Sequence, residues 1–477
     1  MILVKKKNSH HYKKYLSTAY IFCFVGMAFH VSVLGPTLPA LAQIYGQTEV
    51  TGLSLALIGK SIGGFGGVLS MGKVLATYPK HANIIMFFLS VLAGIFTILI
   101  PNFSFGAKGP VGVILFSIVL FFQGFFQQMW DVGGNILLTG AWPNKKLLMP
   151  WMNLLHFSWG VGATICPLLA AGVGLQANNL PLLYFIIFII GIIATAPLLF
   201  FESPLVDDER QEQNNKDTNV AVNIVDTSIV ETTTATNHKH LSRQIDDHNK
   251  TNDNDDLNSE AIDLKTSSLE KDTELTDNIV SDNKKQMLRR GLIAMFLYYF
   301  SYAGIEGTFG SWLASYVYIT GNTIEDGAFA VSILWGSLTL GRLIASIVSK
   351  LHQVTPIRLI AVDILLGFIS VIIMLIVAST KVLFMLYFSS ALIGLSLASM
   401  YPMGVTLASE RLSDDSQFTS RYISGASFGQ LIWPPLVGLL ISNNPIAMPV
   451  VGLVLLGVCS ISFIGIVYFI PPLKEKS

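Results

Sequence analysis

The stretch "LIGKSIGGFGG", Leu57 to Gly67, decides how the whole chain is read. Gly59-Lys60-Ser61 matches the end of a phosphate-binding P-loop, and the glycines after it would suit a nucleotide cradle. That pattern needs four residues between its first glycine and the Gly-Lys pair. Here Gly52 precedes Gly59 with six residues between them, and no strand-to-helix context surrounds the site. The same residues sit in an apolar run, roughly 50–76, and a membrane-crossing helix takes about 20 such residues. Read as a membrane span, the glycines at 63, 64, 66 and 67 offer a thin face for close helix packing. Lys60 then stands about 15 Å into the span, where a cation needs a partner or an aqueous cavity.

The remainder of the chain carries the same signature. Of 477 residues, 52% are hydrophobic and 13% charged, against about 25% charged in soluble domains. The formal net charge is zero, which gives no sign of a nucleic-acid partner. Cys23, Cys166 and Cys459 each lie in an apolar run, with neither metal-ligand spacing nor a disulfide framework. The first apolar run is too long for a cleavable signal peptide, and further spans follow it. The hydrophobic pattern predicts an all-α polytopic membrane protein of twelve transmembrane helices. The first six lie near 16–42, 50–76, 82–101, 110–140, 150–175 and 180–202. The second six lie near 289–318, 326–350, 356–379, 382–409, 419–442 and 446–471.

Lys and Arg in short loops mark the cytoplasmic side. Lys5, Lys6, Lys7, Lys13, Lys14, Lys73, Lys80, Lys145, Lys146, Arg289, Arg290 and Arg358 fall on one side, against Lys108 and Lys381 on the other. Both termini are therefore expected in the cytoplasm, as tails 1–15 and 472–477. Between a six-helix half over 16–202 and another over 288–471 lies a polar segment, 203–287, rich in Asn, Asp, Thr, Ser and Lys. Such a composition buries too little apolar surface to offset its ordering entropy and reads as a disordered cytoplasmic linker.

The halves are internally similar. "LGPTLPALAQIYGQT" (34–48) aligns without gaps to "FGSWLASYVYITGNT" (309–323), matching Gly35 with Gly310 and Gly46 with Gly321. "GATICP" (162–167) aligns to "GQLIWP" (429–434), and "SLALIGK" (54–60) to "SLTLGR" (337–342) with one residue skipped. Two parallel six-helix repeats are the layout of a major-facilitator transporter, with its substrate site between the halves near the midplane.

Charges deep in a span cost at least a few kcal/mol and mark functional candidates. Lys60, Asp131, Glu306 and Arg342 are four such residues. Asp131 and Asn135 in "WDVGGN" stand one helical turn apart on one face. A carboxylate and an amide oxygen can hold Na⁺, a lone buried carboxylate can carry a proton, and a salt bridge to Lys60 or Arg342 is the structural alternative, with Lys60 and Asp131 the first-choice pair. Glu306, in "YAGIEGTFGSW", is either a coupling or substrate-contacting carboxylate or half of a gating pair. Arg342 reads as a structural latch or a solute contact, and His30 as a packing histidine or a proton carrier. Asn153, His156 and Ser158 could donate to sugar hydroxyls or join helices. Trp130, Trp159, Trp312, Trp335 and Trp433 could stack on a hexose or simply pack. There is no His-Glu-x-x-His and no paired-cysteine zinc pattern, so no enzyme is expected.

"VLGPTLPAL" (33–41), "WDVGGN" (130–135), "NLLHFSWGVGATICPLL" (153–169), "YAGIEGTFGSW" (302–312), "WGSLTLGR" (335–342) and "SMYPMG" (399–404) resemble the sodium-dependent glucose transporter branch of the major facilitator superfamily, itself similar to bacterial fucose permease. The resemblance covers both membrane halves and excludes the linker. It implies a facilitator fold moving monosaccharides by alternating access, with no cofactor beyond Na⁺ or H⁺ as coupling ion. Asp131, Asn135 and Glu306 match the family's coupling positions, while Asn153, His156, Trp312 and Gln430 are expected to face the sugar. Lys60 and Arg342 are left as structural or gating charges, and Lys60 stands where relatives carry an arginine. The loop "SMGKVLATYPKH" (70–81) departs from the family by lacking the Asp-Arg core of its cytoplasmic gating motif. The expected partners are a small-molecule sugar and the lipid bilayer, with a functional monomer in the plasma membrane. A facilitator for an organic anion and a non-transporting membrane sensor are the rival readings.

Overall fold

The computed structural model describes residues 10–47, 50–103, 106–142, 145–205, 256–348, 355–380, 382–411, 416–441 and 443–470. They form α1 (His10–Ser32), α2 (Leu34–Ile44), α3 (Ser54–Thr77), α4 (Ala82–Asn102), α5 (Gly109–Ala141), α6 (Lys145–Val173), α7 (Leu180–Thr195), α8 (Asp256–Ile319), α9 (Ile324–Val348), α10 (Pro356–Thr380), α11 (Leu383–Leu397), α12 (Met400–Arg411), α13 (Ser416–Ile441) and α14 (Ala447–Phe469). No strand occurs among the described residues. Eleven helical spans there are long and apolar enough to cross a membrane, α1–α2 and α11–α12 each counting as one. The twelfth expected span, 289–318, is the carboxyl-terminal part of α8, where Glu306, seven glycine or serine residues and the tyrosines dilute the hydropathy. The chain is a multi-pass membrane protein, and exposed side chains such as Leu55, Ile62 and Leu69 of α3 form its lipid-facing surface.

Two compact units are distinguished, one of Met1–Pro204 with Arg290–Ser477, the other of Leu205–Arg289. The segment expected as a linker, 203–287, falls into two stretches. Residues 206–255 lie outside the described residues, whereas 256–287 are helical within α8. Residues 256–290 contain neither glycine nor proline, so no strong helix breaker interrupts the stretch, although Asp, Asn, Ser and Thr outnumber Leu, Glu and Lys in it.

The glycines of the opening stretch work as a single stripe. A Cβ at Gly59, Gly63 or Gly67 would stand 2.6, 1.9 or 2.2 Å from the carbonyl oxygen of Ser117, Phe121 or Phe125. Each four-residue step along α3 thus meets a four-residue step along α5. From the other side, a Cβ at Gly124 would stand 2.2 Å from the Lys60 carbonyl oxygen. Gly64 and Gly66 face side chains instead, Gln128 and the Phe125 ring. The carboxyl-terminal helices repeat the device, with Gly425 and Gly429 of α13 against the carbonyls of Phe296 and Phe300 on α8.

Two spans are broken by proline. Pro36 removes the amide that would bond the Ser32 carbonyl, and the chain steps from α1 to α2 there. Pro402 does the same to the Ala398 carbonyl, separating α11 from α12.

The aligned repeats end alike. Gly46 and Gly321 both adopt positive φ, 67° and 96°, as the left-handed residue closing a helix. The following amides bond back in the same way, Gln47 to the Ala42 carbonyl at 2.8 Å and Asn322 to the Val317 carbonyl at 3.3 Å. Their partners Gly35 and Gly310 touch each other, a Cβ at Gly35 falling 2.7 Å from the Gly310 carbonyl oxygen.

Gly63→Ala is expected to lower the thermal unfolding midpoint of the detergent-solubilised protein by about 5 °C or more, because backbone must move to admit the methyl. Gly72→Ala, with nothing within 4 Å of its Cβ position, should shift it by less than about 2 °C. Equal shifts would refute the stripe as a packing seam.

Candidate functional site: a charge cluster between the chain's two halves

The site begins with how α5 is seated. Trp130 is fully buried, and its indole N–H donates to Cys23 Sγ on α1 at 2.7 Å. Gly133 and Gly134 receive Met71, Met86 and Phe24 from the facing helices. These contacts fix the rotation of α5, and Asp131 and Asn135 share a half-buried face. Asn135 Nδ2 donates to Asp131 Oδ1 at 3.3 Å and to its backbone carbonyl at 3.0 Å, as the spacing predicts.

Glu306 on α8 meets Arg342 on α9. Nη2 stands 3.8 Å from Oε1, with the two side chains 16% and 14% exposed. At that distance the charges neutralise one another without a direct hydrogen bond. Arg342 Nη1 also reaches the His156 carbonyl on α6 at 3.5 Å. The Tyr302 hydroxyl lies against both Arg342 and Glu306 without a hydrogen bond of good geometry. Tyr401, second residue of α12, stands in electrostatic range of Asp131, Glu306 and Arg342, and Asp131 feels the charge of Glu306. Residues from α5, α8, α9 and α12 therefore share one cluster.

Other expected site residues border it. The His156 ring meets Phe24 edge-on at 6.3 Å. Asn153 is exposed three residues earlier on α6. Gln430 packs against Gly307, next to Glu306, and its carbonyl accepts from Ser61 Oγ at 3.3 Å. Trp159 of α6 and Trp335 of α9 meet at right angles, 5.0 Å apart. His30 is a buried packing residue, its Nδ1 3.1 Å from Thr97 Oγ1 and its ring against Gly94 and Gly191.

One expectation is corrected. Lys60 makes no ion pair with Asp131, and the ion pair found among the described spans is Arg342 with Glu306. The glycine stripe sets the register: Lys60 lies level with Gly124, about 10 Å along α5 from Asp131. Trp312, expected to face the sugar, is fully buried, and its indole N–H donates to the Pro434 carbonyl at 2.6 Å.

Asp363 of α10 is a further buried acid, 7% exposed, that the sequence argument does not single out. Its setting in "IAVDILLG" (360–367) carries the same signal as Glu306, a carboxylate inside an apolar run. Tyr302 and Tyr401 offer no comparable signal, since tyrosine is common at membrane depth in this chain.

A match to the Major Facilitator Superfamily covers residues 16–415. The chain belongs to the Major Facilitator Superfamily. Among facilitators, it is 22% identical to Sodium-dependent glucose transporter 1 of Xenopus laevis, over 88% of this chain and 75% of that one. The Homo sapiens protein of the same name is 23% identical, over 90% and 74%. Glucose/mannose transporter GlcP of Bacillus subtilis (strain 168) is 30% identical over 35% of this chain and 40% of its own. In fold, the chain superposes on the crystal structure of a POT family transporter in complex with 5-aminolevulinic acid, with a TM-score of 0.61 and 14% identity over 93% and 95% of the two chains.

Arg342→Met strands the Glu306 carboxylate away from water and should cost about 2–3 kcal/mol of stability, less than a fully buried pair. Adding Glu306→Gln should recover at least half of that loss. Additive losses in the double variant, read by thermal unfolding in detergent, would mean that the pair contributes nothing.

Proposed function

We propose that this facilitator is a secondary transporter that moves a monosaccharide by alternating access, driven by Na⁺ or H⁺ bound at Asp131. The carrying observation is the inequality of the two site carboxylates. Glu306 is neutralised by Arg342, whereas Asp131 has the neutral Asn135 as its hydrogen-bonding neighbour. A carboxylate left without a counter-charge is costly once the cavity closes around it. A bound proton or Na⁺ removes that charge, so the closed, loaded state becomes accessible only with the coupling ion aboard.

The names of the sugar-transporting relatives support the substrate class. So does the chemistry bordering the cluster. Asn153, His156 and Gln430 offer donors and acceptors for hydroxyls. Trp335 carries a buried indole N–H with no hydrogen-bond partner in the protein, as expected where a polyhydroxy solute supplies the acceptor. The protein would act as a monomer in the plasma membrane with both termini in the cytoplasm. An organic anion is the second reading. Lys60 lacks an ion pair and favours it, while the engagement of Arg342 with Glu306 removes the other cation from such a site.

Purified protein in proteoliposomes, tested across a sugar panel with Na⁺ and pH gradients imposed separately, should accumulate one hexose under one gradient. Asp131→Asn should reduce gradient-driven accumulation by at least about tenfold, or 1.4 kcal/mol, while leaving counterflow exchange within about threefold. Unchanged accumulation in that variant would remove Asp131 from coupling. Uptake of organic anions alone would favour the second reading.

A further inference from the structure

Asp363 belongs to no part of the mechanism above, yet it is the most buried carboxylate among the spans described. It accepts a hydrogen bond from Ser399 Oγ and lies in reach of the Ser399 backbone N–H. Ser399 is the second of the two residues between α11 and α12, where Pro402 has broken the span. Its carbonyl already serves α12, accepting from the Met403 amide at 2.9 Å. The acid on α10 thus grips the start of α12 from outside the span.

Two tyrosines of α8 hold the next residues. Tyr298 donates to the Met400 carbonyl at 2.8 Å, and Tyr299 to the Tyr401 carbonyl at 2.9 Å. Gly404 makes room for them, a Cβ there falling 2.8 Å from Tyr298 Cε1 and from the Tyr299 hydroxyl. Tyr298 is also beside Asp363. The last residue of this clamp is Tyr401, whose ring packs on Tyr299 and Tyr302 at 5.1 and 5.8 Å and stands in electrostatic range of Asp131, Glu306 and Arg342. A helix start freed by proline would otherwise rotate, since the interrupted ladder no longer ties α12 to α11.

We infer that Asp363 is a positioning residue: by holding Ser399 at the break between α11 and α12, it keeps Tyr401 beside the charge cluster, and so couples α10 to that cluster. The link to transport rests on the function proposed above, but the placement of Tyr401 does not.

The test therefore has two arms. In full-length protein with Cys23, Cys166 and Cys459 replaced by Ala, Tyr401→Cys is labelled with a small water-soluble methanethiosulfonate. Adding Asp363→Leu, which keeps the volume and loses the acceptor, should change the labelling rate by about fivefold or more. Asp363→Asn keeps an acceptor for Ser399 and should stay within about twofold of the parent. Ser399→Ala should match Asp363→Leu, and the two together should do no more than either alone, as expected for one shared interaction. If Asp363→Leu does not fold, Ser399→Ala against Asp363→Asn carries the same comparison. Labelling within twofold in Ser399→Ala, or effects that multiply, would overturn the inference. In the second arm, with Tyr401 intact, Asp363→Leu should lower concentrative sugar uptake at least fivefold and Asp363→Asn should restore it. If the unmodified protein takes up no sugar, the transport reading fails while the labelling arm still decides the role of Asp363.

Discussion

Gly63 has no side chain, and the carbonyl of Phe121 occupies the place where one would stand. That contact, repeated at Gly59 and Gly67, brings two backbones together with nothing between them. In hydrocarbon there is no hydrophobic gain from pairing apolar helices, so close van der Waals approach has to drive association. It also fixes register. Once Lys60 is set beside Gly124, Asp131 stands about two helical turns further along α5, and the ion pair that charge alone would suggest is not made. The electrostatics of the site are a consequence of the packing seam.

The site then divides its charges unequally. Arg342 is shared between Glu306 and the carbonyl of His156, bridging α8, α9 and α6. Asp131 is left with an amide. An arrangement in which both carboxylates held cations would be stable and inert. One in which neither did would be too costly to close. The partial exposure of the Arg342–Glu306 pair keeps it dissociable, which suits an element that must adopt more than one state.

What could be read from sequence was what depends on a single helix. The turn spacing of Asp131 and Asn135, the apolar lengths of the spans and the paired glycines Gly46 and Gly321 all follow from local chemistry. What could not be read depends on two helices at once. The four-residue stripe of Gly59, Gly63 and Gly67 is visible only against the carbonyls it meets. Lys60 fails to reach Asp131 for a reason that lies in α5. Trp312 spends its indole on Pro434, a partner more than a hundred residues away. Asp363 lay in plain view as a carboxylate in an apolar run, but its meaning depends on a break in another span. Residues 256–287 show the converse limit: a polar composition argues against a core, and says little about whether a stretch free of glycine and proline coils into a helix.

Gly35 and Gly310 occupy matching positions in the two aligned segments and lie against each other. The contact is one-sided. A methyl on Gly35 would strike the Gly310 carbonyl, whereas a methyl on Gly310 would strike the Trp335 ring. Aligned positions in the two halves thus hold the same residue for different steric reasons, and likeness of sequence between the halves is not likeness of contact.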